Sequence, residues 1–133
     1  FILEGAIGTI PGADGKALAE LTKLWQAKYG KPPAEYAPQA WDAAALLALA
    51  AQAAKTNTGD GIKSKLKEVA NAPGEEVSDV CQALKLVSEG KDINYQGASG
   101  NVELDDNGDV SGVYDVWRVE GDGKLKTISQ VSP

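Results

Sequence analysis

Asp105-Asp106-Asn107-Gly108-Asp109 crowds three carboxylates and an amide into one short stretch, and Asp115 adds a fourth carboxylate nearby. Oxygen ligands in such density could hold a hard cation, and paired carboxylates could serve acid–base hydrolysis. A calcium loop of the EF-hand type needs Gly at its sixth position and Glu at its twelfth. Counted from Asp105, those positions hold Val110 and Val116, so the pattern fails at both diagnostic places. Hydrolysis needs two carboxylates converging in a cleft, one with a raised pKa. A solvated Asn-Gly turn is a poor place for that, and the stretch reads as a β-turn in which Asn107-Gly108 supplies positive φ. No metal site and no catalytic residue is assigned.

Other chemistry-bearing features are weaker still. Tyr95-Gln96-Gly97-Ala98-Ser99-Gly100 has the glycines of a phosphate-cradling loop but lacks its Lys-Ser or Lys-Thr. It also precedes a strand rather than the helix whose N-terminus would bind the anion. Cys81 is the single cysteine, which excludes an internal disulfide, and it reads as a small, partly buried apolar residue. There is no histidine, so the commonest general base and zinc ligand are missing. Tyr36, Gln39 and Trp41 stand at the entrance of a helix after a Pro-Pro connection, where an aromatic and an amide can face a ligand cleft. Trp41 is expected in the core. For Tyr36 the local sequence leaves core and cleft equally open.

The elements that must position these residues follow from periodicity. Residues 1–11 read as a short buried strand ending at Pro11-Gly12. Asp14 is expected to cap a helix through Tyr29, with Leu18, Leu21, Trp25 and Tyr29 on one face and Gly30 as its stop. A second helix begins near Pro38 and runs to about Lys55, so rich in Ala and Leu that it should pack on several sides. A third spans about Gly61 to Asn71 with Ile62, Leu66 and Val69 inward. A fourth follows an N-cap at Ser78 and ends before Gly90. Strands are expected at Asn101–Leu104, Val113–Val119 and Leu125–Ile128, with turns at Asn107-Gly108 and Asp122-Gly123. The prediction is an α/β chain, helix-rich in its middle with strands at both ends.

Composition narrows function further. The chain has 133 residues, about one domain's worth, with a formal charge of −6. Residues 1–66 carry seven Lys against six acids, whereas residues 67–133 carry six basic residues against thirteen. Nucleic acid is excluded as a partner, because phosphate neutralisation needs clustered Lys and Arg. The absence of Met and the start at Phe1 suggest a piece of a longer product. The longest apolar run, Ala43 to Ala51, is far short of the ~20 residues a membrane span requires.

EGAIGTIPG at 4–12, YGKPPAEYAPQAWDAAALLALA at 29–50 and GNVELDDNGDVSGVYDVWRV at 100–119, taken in that order and spacing, resemble the C-terminal portion of a known family. This is the leucine/isoleucine/valine-binding family, the type I periplasmic binding proteins of branched-chain amino acid ABC transporters. The resemblance implies two α/β lobes joined by crossing strands, with the ligand held between them. On that basis residues 1–12 would be a second-lobe strand and crossover. Residues 13–110 would supply helices of the first lobe, and 111–133 would form the final crossover and return to the second. Tyr36 would meet the ligand, with Gln39 as a lesser candidate, and Pro11, Gly12, Gly112 and Tyr114 would serve the hinge. Trp41 stands where the family commonly has Tyr. Glu4 would not be the family's ligand-binding acid, which lies upstream. The implied function is capture of an amino acid or small amide and its delivery to a membrane permease, in a periplasmic or other extracytoplasmic location, with no cofactor. A ligand-sensing domain of a receptor or regulator is the alternative. Such a piece would pair its open strand edges with another copy, or need an upstream portion to complete it.

Overall fold

A computed structural model describes residues 2–132. It contains strand β1 (Ile7–Pro11), helices α1 (Leu18–Tyr29), α2 (Ala37–Ala54) and α3 (Gly59–Ala70), strand β2 (Glu75–Val77), helix α4 (Val80–Ser88), and strands β3 (Ile93–Tyr95), β4 (Tyr114–Val119) and β5 (Leu125–Val131). The fold is the expected α/β arrangement, with helices in the middle and strands at both ends.

Apart from α1, which packs in a small separate cluster with Trp41 and Ala98, the elements sort into two bodies of contacts. One joins α2, α3 and α4 with β2 and β3, and the other is the sheet β1-β4-β5. In the first body β2 and β3 pair in parallel through α4, a βαβ unit. Leu49, Ala50, Val69, Ala70, Ala83, Ile93 and Tyr95 form its core, each at most 2% exposed. In the second, β4 is the central strand, antiparallel to both neighbours, with Pro11 opposite Tyr114 and Ile10 opposite Asp115.

Several expectations require correction. The sequence reading placed a buried strand over residues 1–11. Phe1 lies outside the described residues, residues 2–5 form turns, and β1 has no fully buried position. Apolar content suggested burial, but the helices of this chain pack elsewhere, and Val119 is the buried residue of the three-stranded sheet. Asp14 does not cap α1. The cap position is Ala17, with no side-chain cap, because the preceding backbone is spent on a loop: Asp14, Gly15 and Ala17 N–H groups donate to the carbonyls of Ser99, Ala98 and Gly97. On α1, Leu21 is buried and Trp25 half-buried, whereas Tyr29 is exposed. The cap of α4 is Asp79 rather than Ser78, its carboxylate accepting the Gln82 N–H at 2.7 Å. Cys81 is exposed rather than partly buried. Asn101–Leu104 is not a strand; isolated bridges join Gln96 to Asn101 and Leu104 to Val110. The short strands β2 and β3 were not anticipated. Finally, α2 packs on one side only and leaves Ala43, Ala44, Leu47 and Ala48 exposed.

The residue that organises the first body is Asp42, 3% exposed on the packed face of α2. Its Oδ1 accepts the Ala98 N–H at 2.7 Å and the Tyr95 hydroxyl at 3.3 Å. Its Oδ2 accepts the Ser99 N–H at 2.7 Å and the Ser99 hydroxyl at 2.5 Å. Gly97 is required beside it, since a Cβ there would stand 2.4 Å from Oδ2. A buried carboxylate is tolerated only when its oxygens are satisfied in this way. Burial, reinforced by the Asp42 charge, pushes the Tyr95 hydroxyl pKa well above the ordinary tyrosine value.

Two measurements on the intact protein test this anchor. Asp42→Ala strands four donors and should lower the unfolding free energy by about 3 kcal/mol or more in urea denaturation. Tyr95 ionises more easily in the unfolded chain. Its contribution to stability is therefore complete below about pH 10, the unfolded value, and erodes as pH rises further. Tyr95→Phe should flatten that alkaline slope, and an unchanged slope would count against the assignment.

Candidate functional site

Pro32 and Pro33 deliver the chain to α2 in an extended run, and Tyr36 then turns it into the helix with left-handed backbone, φ 65°. A non-glycine residue in that region costs roughly 1–2 kcal/mol. The turn sends the Tyr36 side chain outward, 55% exposed, away from the core formed by the rest of α2. Ala37 N–H bonds back to the Ala34 carbonyl, and Pro38 follows in the first turn with no N–H to satisfy.

Tyr36 opens onto a cleft of about 370 Å³ between the start of α2 and the three-stranded sheet. Ile10, Asp115, Trp117 and Thr127 come from the sheet, and Glu35, Tyr36 and Gln39 from the helix side. Asp115 and Trp117 lie two residues apart on β4, on the face shared with Ile10. The Trp117 ring lies against Gly8, where a Cβ would fall 2.2 Å from it, so the absence of a side chain at position 8 lets the indole lie flat. A second cleft of about 340 Å³ lies along Ser99 to Asn101 and Val110 to Tyr114. Pro11, Gly12 and Gln39 line both clefts and form the wall between them.

Gln39 ties that wall together. Its Nε2 donates to the Gly12 carbonyl at 2.7 Å, and Gly12 N–H donates to the Val113 carbonyl at 2.9 Å. The structure thus brings together the residues named from sequence. Pro11 and Tyr114 are ladder partners, Gly12 and Gly112 line one cleft with them, and Gln39 and Tyr36 line the other. Gly112 itself is exposed and has room for a side chain. Trp41 does not reach either cleft; it is half-buried against the cluster of Ala17, Leu21 and Ala98, on which Trp25 also packs, as expected of a core residue. Glu4 stands away from both, beside Gly121.

The acidic stretch resolves into a turn. The Asp105 carboxylate accepts the N–H groups of Asp109 (2.9 Å) and Asn107 (2.8 Å), and Gly108 takes left-handed backbone at φ 88°. Asp106 is turned to Lys67 at 2.7 Å. The carboxylates therefore serve separate partners rather than one centre. The glycine-rich loop does cradle an anion, but it is the chain's own Asp42. Sequence reasoning missed Asp42 and Trp117, and weighed Asp115 only as one of a set of clustered acids. A lone acid in an Ala-Leu helix was a usable signal for Asp42, and strand alternation after Tyr114 was one for the other two.

A family model described as the receptor family ligand binding region matches residues 2–122. The chemotactic signal transduction system substrate-binding protein BasB of Halobacterium salinarum is 36% identical over 75 residues, 55% of this chain and 18% of that protein. The crystal structure of the leucine binding protein LivK of Thermotoga maritima aligns at a TM-score of 0.66 with 21% identity, over 98% of this chain and 32% of that one. The second likeness is one of fold. The chain therefore spans about a third or less of the length of these relatives.

The turn makes a direct prediction. Backbone N–H bonds, foremost that of Asp109, hold the Asp105 carboxyl below the usual carboxylate range. The depressed folded value means its support of the turn is complete above the unfolded pKa and is lost as pH falls through the folded one. Carbon-detected NMR titration should show Asp105 protonating at lower pH than the ordinary aspartate value of about 3.9. Asp105→Ala should broaden the Asn107 and Asp109 amide resonances.

Proposed function

This chain belongs to the receptor family ligand binding region family and has the fold of type I periplasmic binding proteins, and from that premise we propose that it is part of the solute-binding component of an ABC importer. The solute is an amino acid or a related small polar molecule such as an amide. In this reading residues 1–12 and 111–133 belong to one lobe and 13–110 to the other, and the solute is captured between them. Ligand contacts favour the closed arrangement, which a membrane permease recognises. Pro11, Gly12, Gly112 and Tyr114 absorb the rotation, and no catalytic step takes part. The protein works outside the cytoplasm, in the periplasm or its equivalent.

The observation that carries the reading is Tyr36. Its strained backbone holds an aromatic ring at the mouth of a cleft walled by Ile10, Pro11 and Gly12 of the segment that pairs with Val113 to Asp115. Gln39, one turn into the same helix, hydrogen-bonds the Gly12 carbonyl, so a ligand on Tyr36 and the hinge share one support. The division of contacts into two bodies agrees with two lobes joined by few crossings. No helix of the described residues is long and apolar enough to cross a membrane.

A second reading, a ligand-sensing component of a signalling pathway, is favoured by the likeness to a chemotactic substrate-binding protein. It uses the same cleft and closure with a different recipient.

Isothermal titration of the intact protein with a panel of amino acids, urea and short amides should give saturable binding. Small-angle scattering should show a smaller radius of gyration with ligand. Tyr36→Ala should weaken binding about tenfold or more, some 1.4 kcal/mol, with little change in melting temperature. A silent panel would count heavily against the proposal, and an unaffected Tyr36→Ala would remove this residue from the site.

A further inference from the structure

The cleft at Tyr36 is rich in acceptors and has no basic side chain. Its lining holds two carboxylates, Asp115 and Glu35, and two aromatic rings, Tyr36 and Trp117, and no Lys or Arg among the described residues. Asp115 is half-buried on the sheet side, where Gln130 Nε2 donates to its Oδ1 at 2.9 Å. That bond fixes the carboxylate and occupies one of its two oxygens. Glu35 is exposed at the other wall. Gln39 supplies a third acceptor: its Nε2 is spent on Gly12, while its Oε1 is buried with no hydrogen-bond partner. An acceptor left so is costly, and no cation-repelling group stands beside it in the cleft lining.

The nearby helix end does not offset this. An anion at a helix N-terminus needs convergent N–H groups. At the start of α2, Ala37 N–H is turned back to the Ala34 carbonyl, and Pro38 has none to give. The side-chain donors in the cleft besides the Gln39 amide are all neutral: the hydroxyls of Tyr36 and Thr127 and the indole N–H of Trp117.

We propose that this cleft selects a cationic side chain of the solute, an ammonium or a guanidinium, paired with the Asp115 carboxylate. The faces of Tyr36 and Trp117 supply further attraction to the cation, and Glu35 adds negative charge at the rim. An aliphatic side chain in the same place would cover Asp115 with nothing to pair its charge, which is unfavourable. The inference rests on the reading of this cleft as the solute site.

The test is calorimetry on the intact protein with L-arginine, L-lysine, L-leucine and L-citrulline, the last a neutral isostere of arginine. Arginine or lysine should bind about tenfold or more tightly than citrulline and leucine. Asp115→Asn should weaken the cation about tenfold or more while leaving citrulline little changed. Equal weakening of all four by Asp115→Asn overturns the inference, because leucine and citrulline share the α-ammonium and no side-chain cation is then selected. Preferred binding of leucine with no response to Asp115→Asn overturns the inference and leaves the solute-binding function standing. Arginine binding insensitive both to salt and to Glu35→Gln overturns it too, without any change at Asp115. No heat with any probe removes the site reading and the inference with it.

Discussion

Everything in the helical body leans on one buried carboxylate. Asp42 projects from α2 and gathers the N–H groups of Ala98 and Ser99, the Ser99 hydroxyl and the Tyr95 hydroxyl. Those four bonds fix the loop after β3 against α2. The same loop offers the carbonyls of Gly97, Ala98 and Ser99 to the backbone of Ala17, Gly15 and Asp14. The segment that leaves β1 is thereby held at the foot of α1. A charge that would be prohibitive if unpaired becomes the point through which three separated stretches of chain acquire one geometry.

The cleft inherits its position from that anchor. Gln39 lies three residues before Asp42, on the same side of α2, and reaches the Gly12 carbonyl. Fixing Asp42 therefore fixes where Gln39 and Tyr36 stand relative to the paired segment at Gly12 and Val113. The sheet side is set independently, by the register that puts Ile10 opposite Asp115 and by the bare Gly8 that receives Trp117. The two bodies meet through a few backbone and side-chain bonds rather than an interlocked core.

The helices were legible because burial imposes a period on sequence. Ile62, Leu66 and Val69 line α3, and Pro38 marks the start of α2. The strands β2 and β3 were not legible. Three residues are too few for alternation to emerge, and β3 is buried at every position, with even the polar Asn94 inside. Residues 1–11 failed in the opposite direction, since apolar side chains are no guarantee that another layer lies over them. The acids at 105–109 looked like a site because proximity in sequence resembles convergence. In space, Asp105 turns inward to its own backbone and Asp106 outward to Lys67.

The amino-acid sequence by itself determined the class of the chain, the four helices and the Asn-Gly turn, because propensity and periodicity act between near neighbours. Only the tertiary structure decided which polar groups face one another. Asp42 meets a loop more than fifty residues away, and Tyr36, Gln39, Asp115 and Trp117 reach one cleft from distant elements. Such meetings depend on sheet register and on the one buried charge that the fold had to satisfy, and neither is written in any local stretch of residues.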